Sequence, residues 1–254
     1  MSSYGLWLSA AGMKVNDHRQ ALLANNMANA NTVGFKHDLA VVMQRSVQSR
    51  EAPNGLSFAH PILDGLSGGV NVQPTFHSFE QGPIERTGRP LDVAIQGEGF
   101  FEVSDGKDTR YTRNGEFSVN TKGELVLSAG EGRWKVMDDA GGPIVLEAEL
   151  GKASIAGDGT VRQGDIVVAR LGIKTTDDLQ TLRKIGQNVF QATAEMVATK
   201  ARLETESVER STFDIVNGLA SMIEATRAFE LNAKMIQIQD QLTGQAVGTL
   251  GRLA

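Results

Sequence analysis

The chain has 254 residues, 41% of them hydrophobic and 22% charged, with a formal net charge of −5. An acidic balance excludes nucleic acid as the main partner, because phosphate binding needs a basic surface. The absence of cysteine excludes disulfides, thiolate metal sites and a cysteine nucleophile, and no apolar run reaches the roughly 18 residues of a membrane span.

Met1 to Ala11 lacks the basic start, continuous apolar core and cleavage site of a secretory signal, which by itself points to the cytoplasm. Residues 3–29 read as a helix near 40 Å long, rich in good formers and free of proline. Tyr4, Leu8, Ala11, Val15 and Leu22 follow a three-four spacing, with His18 between them. Asn25, Asn26, Asn29 and Asn31 cluster at its end, before Thr32, Gly34 and Phe35. Asparagine tolerates the left-handed conformation and bonds free backbone groups at a helix terminus. Four of them exceed the needs of one cap and leave room for an interface role.

Leu39 to Met43 is a short apolar segment that could continue as helix. Residues 46–69 are polar and carry Pro53, Asn54-Gly55, Pro61 and Gly68-Gly69, which reads as an extended connector. Val70, Val72, Phe76 and Phe79 return the chain to extended structure. Most of the 28 glycines lie between Gly55 and Gly172, so the middle of the chain reads as turn-rich β structure.

Alternation of Leu91, Val93 and Ile95 suits a half-buried strand. Asp105-Gly106, Asn114-Gly115 and Lys122-Gly123 are hairpin-type turns at close spacing. Short strands are expected at 109–112, 117–119, 125–127, 134–137, 144–146, 153–155 and 166–171. Many short strands with glycine turns favour an antiparallel sandwich or barrel-like domain. A short helix at 179–182 and a strand at 188–192 follow.

Residues 212–250 read as one amphipathic helix of roughly 50 Å. Leu219, Met222, Thr226, Phe229, Ala233 and Ile236 recur at steps of three and four, the seam of a coiled coil, and Ile215, Val216 and Ile223 widen it. A helix that long in a chain of this size needs something to pack against. The N-terminal helix is the first candidate, which gives a discontinuous helical domain with the β region inserted. Head-to-tail copies of such a unit build a filament where the rotation does not close.

The search for chemistry returns little. Gly65-Leu66-Ser67-Gly68-Gly69 fits a nucleophile elbow literally, but that motif needs a strand before it and a helix after it. Gly97-Glu98-Gly99 lacks the third glycine of a dinucleotide fingerprint and reads as a turn. His18, His37, His60 and His77 have no paired metal spacing, and the acidic turns Asp138-Asp139 and Asp177-Asp178 lack the ligand count of a calcium loop. No metal, cofactor or catalytic residue is expected.

Four segments carry a family resemblance. Asn25-Asn26-Met27-Ala28-Asn29-Ala30-Asn31-Thr32-Val33-Gly34-Phe35-Lys36 resembles the N-terminal signature of the flagellar basal-body rod and hook family. Arg89-Pro90-Leu91-Asp92-Val93-Ala94-Ile95-Gln96-Gly97-Glu98-Gly99-Phe100-Phe101 is similar to its central block, and Tyr111-Thr112-Arg113-Asn114-Gly115 to the segment that follows. Met222-Ile223 through Arg227-Ala228-Phe229-Glu230 to Asn232-Ala233-Lys234 resembles its C-terminal signature. Ser211-Thr212-Phe213-Asp214 departs from the family's usual start of the last helix, although Thr212 and Phe213 keep a cap-like polar and apolar pair. Length and central block resemble rod proteins of the FlgF and FlgG type more than the longer hook protein, and the shorter length leans to the proximal rod (FlgF) side.

The resemblance implies a non-enzymatic subunit of the hollow rod between motor and hook. It implies passage through the flagellar export apparatus without a cleaved signal, assembly in the periplasm, and partners that are further copies and other rod subunits. It reverses the cytoplasmic reading above; neither nucleic acid nor direct membrane insertion is expected. The fold expected is α+β: long N- and C-terminal helices paired as an antiparallel coiled coil, with an inserted antiparallel all-β domain. Residues 1–36 and 205–254 would form the helical rod-core domain, 37–81 the connector and 82–204 the outer β-rich domain. Polymer contacts are expected at Leu8, Ala11, Val15, Leu22, Leu219, Met222, Ile223, Phe229, Ala233 and Ile236. Asn25, Asn29, Asn31, Gly34 and Phe35 would form the turn between layers. Two other readings fit the residues less well: a secreted β-rich binding module with coiled-coil arms, and a hydrolase using Ser67.

Overall fold

The structure is a computed structural model and describes residues 3–45, 69–130, 132–186, 188–199 and 201–250. It is α+β: an N-terminal helix, a central all-β region and a C-terminal helix. The chain divides into a helical unit, Met1–Ala28 with Asp38–Phe76 and Asp214–Ala254, and a β unit, Asn29–His37 with His77–Phe213.

In the helical unit, α1 spans Ser3–Ala28 and α2 spans Ile215–Leu250. The N-cap of α2 is Asp214, whose carboxylate accepts from the backbone N–H groups of Val216 and Asn217, at 2.8 and 3.3 Å. An acidic cap satisfies the first free donors and faces the positive end of the helix dipole. Thr212, the residue with cap-like character in the sequence, is employed in the β unit instead.

The helices pack on each other through small residues. A methyl added at Gly5 would lie 2.6 Å from the Gln239 side chain, and one at Gly12 would lie 2.8 Å from Asn232. The pairs Gly5–Gln239 and Gly12–Asn232 step in opposite senses along the two chains, so α1 and α2 run in opposite directions. The covered face of α2 passes through Gly218, Met222, Ala225, Phe229, Asn232 and Ile236, of which Gly218 and Ala225 are fully buried. On α1, Ser9, Val15 and Asn16 are buried.

Leu39 to Met43 is not helical: Asp38–Leu39 and Val42–Gln44 are strands, the second paired antiparallel with Val70–Val72. Two β-branched residues in this stretch, Val41 and Val42, favour the extended form. The short ribbon packs on α1, and Gly69 at its base sits against the Trp7 ring with φ +83°.

The β unit is built from short antiparallel strands. A nine-stranded sheet runs in the order 182–186, 189–192, 109–112, 100–104, 135–136, 125–127 and 117–119. Ile173–Thr175 also pairs onto Phe100–Ser104, with Val197–Ala198 beyond it. Ala153–Ile155, Thr160–Gln163 and Ile166–Arg170 form a three-stranded sheet. Val93–Gln96 pairs with Arg202–Thr205, and Ile84–Arg86 with Ser207–Glu209. Residues 144–146 contribute an isolated bridge rather than a strand, and residues 179–181 form a single 3-10 turn capped by Asp178.

The main core gathers Val93, Ile95, Phe101, Leu125, Leu127 and Val136, each at most 1% exposed. Each such side chain contributes about 1.5–3 kcal/mol on burial. Val93, Ala94 and Ile95 are all buried, so this strand is covered on both faces rather than half-buried as its alternation predicts. The alternation is carried by Ala94, a small residue that reads as neutral in sequence yet fills a closed face here. A second cluster joins Phe100, Leu182 and Phe190, with Phe79 set edge-on to Phe100 at 5.7 Å between ring centroids.

Candidate assembly surface and its anchoring cluster

The segment Val33–His37 is threaded into the interior of the β unit by main-chain and side-chain bonds. Gly34 N–H donates to the Glu209 carbonyl at 2.7 Å, and the Phe35 carbonyl accepts from Thr212 N–H at 3.2 Å. His37 N–H donates to Thr212 Oγ1, and the His37 carbonyl accepts from Ser78 N–H at 3.0 Å. The Val33 carbonyl accepts from Asn188 Nδ2 at 2.8 Å. Phe35 is 1% exposed and carries Lys184 Nζ 3.8 Å from its ring centroid, a cation–π contact. Gly34 has φ +66°, and a methyl there would lie 2.5 Å from the Arg113 carbonyl carbon and 2.6 Å from Asn114 N. Glycine is the residue that meets both demands.

The next residue, Lys36, is fully buried and ion-paired with the equally buried Glu209, Nζ to Oε1 at 2.5 Å. Its ammonium also donates to the Glu80 carbonyl. Glu209 accepts in addition from Gly82 N–H at 2.8 Å and lies 3.4 Å from Arg113 Nη1. Arg113 donates to the Gly97 carbonyl at 2.8 Å and stacks over the Phe100 ring at 5.1 Å. Burial lowers the pKa of Lys36, and the Glu209 carboxylate opposes that shift; Arg113 is lowered for the same reason and opposed by the same group. Two buried cations thus depend on one carboxylate. Such a cluster is costly unless its hydrogen bonds are made, and it is strongly selective for the one geometry that makes them.

Within the helical unit, Asn26 performs a comparable task. It is 2% exposed, and its amide clamps the Asp38 backbone, donating to the carbonyl at 2.8 Å and accepting from the N–H at 2.9 Å. We predict that Asn26→Ala, which removes both bonds, costs about 1–3 kcal/mol. Amide exchange at Asp38 is the direct readout, and unchanged protection would refute the clamp. In the β unit, Asn29 accepts from Thr32 Oγ1 at 3.3 Å, while Asn31 is exposed. Asn25 is exposed at the end of α1.

The central block is equally structural. Asp92 is fully buried and takes Thr87 Oγ1 at 2.6 Å and Arg89 Nε at 2.8 Å on one oxygen. Thr112 Oγ1 donates to the Asn188 carbonyl and accepts from Asn114 N–H. Gly115 packs directly on the Val93 carbonyl. Gly97-Glu98-Gly99 is a turn between Val93–Gln96 and Phe100–Ser104, with φ +93° and +131° at the two glycines. Among the described residues no three His, Asp or Glu side chains gather as a metal site. Residues 65–68 of the Ser67 motif lie outside the described residues.

The positions expected to make polymer contacts divide by environment. Val15 is buried, and Leu8, Ala11, Leu22, Met222, Phe229, Ala233 and Ile236 are half-buried. Leu219 and Ile223 are 51% and 47% exposed. Gly34 and Phe35 are interior residues of the β unit. Sequence reasoning named Asn26 only as one of the asparagine cluster and did not single out Lys36, Arg113 and Glu209. Asn26, Lys36 and Arg113 stand inside the recognised segments, which was their available signal. Glu209 sits in an ordinary polar stretch and had none.

Residues 9–36 match the flagella basal body rod protein family, residues 94–163 the flagellar hook protein FlgE/F/G D1 domain, and residues 204–249 the flagellar basal body rod FlgEFG protein C-terminal domain. The chain is 38% identical over 235 residues to the flagellar basal-body rod protein FlgF of Caulobacter vibrioides, covering 91% of each. It is 31% identical over 264 residues to the flagellar basal-body rod protein FlgG of Buchnera aphidicola subsp. Acyrthosiphon pisum, covering 93% of this chain and 96% of that one. To FlgG of Bacillus subtilis it is 30% identical over 261 residues, covering 95% and 97%. With matched segments at both ends and in the middle, and relatives aligned over nearly their whole length, the chain belongs to the flagellar basal-body rod proteins of the FlgF/FlgG type, structural components of the basal body rather than enzymes.

Proposed function

We propose that this rod subunit polymerises through its helical unit, with α1 and α2 packed as an antiparallel coiled coil and further copies or other rod subunits covering the rest of α2. The observation that carries this reading is the distribution of apolar residues on α2. Its covered face carries Met222, Phe229 and Ile236 beside Gly218, Ala225 and Asn232, yet Val216, Ile223, Leu231, Met235, Ile238 and Leu242 are 40–77% exposed. So many large apolar residues exposed along one helix mark an interaction site. The β unit, with its closed core and buried ion cluster, serves as the rigid outer body.

The proposed contact set is Leu8, Ala11, Val15 and Leu22 with Met222, Phe229, Ala233 and Ile236 between the two helices, and Leu219 with Ile223 toward neighbours. Asn25, Asn29, Asn31, Gly34 and Phe35 fix the turn. A proximal position in the rod is supported by the 38% identity to a FlgF protein, against 31% and 30% to FlgG proteins. Export through the flagellar apparatus belongs to the same proposal.

Phe229→Asp puts a charge into the covered seam and is expected to abolish incorporation into the rod, and motility with it. Circular dichroism of the purified variant should retain the β signal. Motile cells whose basal bodies contain the variant at normal abundance would refute the proposal.

A further inference from the structure

The strands of the β unit close over very different lengths of chain. Phe101 pairs with Thr112, Leu127 with Phe117 and Ile155 with Val161, partners that lie close along the sequence. One seam is different. Ile95 pairs with Leu203 and Glu85 with Val208, and Gly34–His37 then lies against residues 209–212. Lys36 and Glu209 are 173 positions apart, and His37 and Thr212 are 175 apart. Even Phe190 with Tyr111, across the large sheet, spans less than half as many. The entropic cost of closing a loop grows with its length, and distant pairings meet that cost before their contacts can offset it.

Charge makes the last part of this seam all-or-none. Glu209 Oε1 accepts from Lys36 Nζ and from Gly82 N–H, and Oε2 lies 3.4 Å from Arg113 Nη1. The side chains of Lys36 and Glu209 are fully buried, and that of Arg113 is 5% exposed. A charge leaves water at tolerable cost only when its partners are already in place. Here the partners come from separate stretches of chain, at 36, 82, 113 and 209, and none can be buried ahead of the others. Gly34–His37 brings one large apolar side chain, Phe35, so little hydrophobic gain draws the segment in early. Residues 202–205, by contrast, carry Leu203 into the main core. The seam therefore has a direction. Residues 202–205 settle on 93–96, then 207–209 on 84–86, and Gly34–His37 comes last.

We propose that Gly34–His37 and residues 207–212 form a latch: the β unit crosses its folding barrier with the latch open, and the closed latch is what slows unfolding. Interactions absent from the transition state leave the folding rate almost unchanged and must be broken on the way out, so they lengthen the life of the folded state. The buried cluster of Lys36, Arg113 and Glu209 is then a kinetic lock rather than a folding nucleus. The latch belongs to the β unit alone and is independent of assembly into the rod.

Folding and unfolding rates of the full chain after urea jumps test this. Trp134, 7% exposed in the main core, reports on the β unit once Trp7, the second tryptophan, is replaced by Phe. On that background Phe35→Leu is expected to speed unfolding about tenfold and to change the folding rate by less than about twofold. Glu209→Gln should speed unfolding about a hundredfold or more, again with folding nearly unchanged. Val103→Ala, at a fully buried position of the large sheet, should instead slow folding several-fold. A folding rate that falls in Phe35→Leu by as large a factor as the unfolding rate rises would overturn the proposal, whether or not Glu209→Gln folds. So would a Val103→Ala chain that folds as fast as its parent, because the sheet would then not be formed at the barrier. Neither result bears on the rod-incorporation experiment with Phe229, so the two readings fail separately.

Discussion

Replacing Glu209 by Gln is expected to lower the stability of the β unit by about 3–5 kcal/mol, the range seen when one partner is taken from a buried ion pair. The carboxylate is fully buried and is the anion that both Lys36 and Arg113 approach. Glutamine keeps the volume and one acceptor oxygen but removes the charge. The loss therefore reports electrostatics rather than a cavity. With the carboxylate gone, burial is opposed only by the weaker pull of Glu80 and depresses the pKa of Lys36 further. The unfolded chain then binds a proton that the folded chain gives up, over the interval between the depressed value and the ordinary lysine value of 10.5. Stability rises with pH wherever the unfolded state binds more protons. The deficit of Glu209→Gln should accordingly narrow as pH climbs through that interval and widen on return to neutrality. Lys36→Met placed on the Glu209→Gln background should recover part of the loss, because an apolar side chain of similar length removes the stranded ammonium. Urea unfolding at two pH values measures all of this. A deficit under about 1 kcal/mol that does not change with pH would show that the pair contributes little beyond packing.

The coarse plan of the molecule follows from local chemistry, and so it can be read from the chain. Helix formers without proline mark both ends, and α1 and α2 fall within a few residues of the expected limits. Glycine-punctuated short strands mark the middle, and the strands at 109–112, 117–119, 125–127 and 153–155 lie where the turns require them. What resists reading is whatever depends on which surface meets which. On α2, the pattern through Leu219, Met222, Thr226 and Phe229 combines covered residues, Met222 and Phe229, with exposed ones at their flank, Leu219 and Thr226. Hydrophobicity thus marked the large members of the covered face, Met222, Phe229 and Ile236, together with exposed neighbours. The covered face also relies on Gly5, Gly12, Gly218 and Ala225, whose small size admits close approach but produces no hydrophobic signal. The anchoring cluster is hidden for a different reason. Lys36 and Glu209 lie 173 positions apart in the chain, and a charged residue in a polar stretch gives no sign of being buried.

Gly34→Ala is expected to cost the β unit about 3 kcal/mol or more, and a second glycine separates the two causes. Positive φ alone costs an alanine roughly 1–2 kcal/mol relative to glycine. Gly88 isolates that contribution: its φ is +74°, close to the +66° of Gly34, but nothing lies within 4 Å of the position a methyl would take. Gly88→Ala should therefore cost about 1 kcal/mol. At Gly34 the methyl meets the backbone carbonyl carbon and oxygen of Arg113 and the amide nitrogen of Asn114. Those atoms cannot rotate aside as a flexible side chain would. Asn114 N–H is bonded to Thr112 Oγ1, and the Arg113 side chain is committed to Gly97 and the Glu209 carboxylate. Relief must come from moving Gly34 instead, which strains its own bond to the Glu209 carbonyl and draws Lys36 away from its partner two residues on. The clash is thereby passed into the ion cluster, and the variant should show the signature of a weakened Lys36–Glu209 pair as well as a lower midpoint. A double-mutant cycle of Gly34→Ala with Lys36→Met in urea unfolding reads that coupling, and a value of ~1 kcal/mol or more is expected for residues that share a network. Additive effects, or equal losses at Gly34 and Gly88, would mean that the backbone of Arg113 and Asn114 yields after all and that the glycine is there for its φ alone.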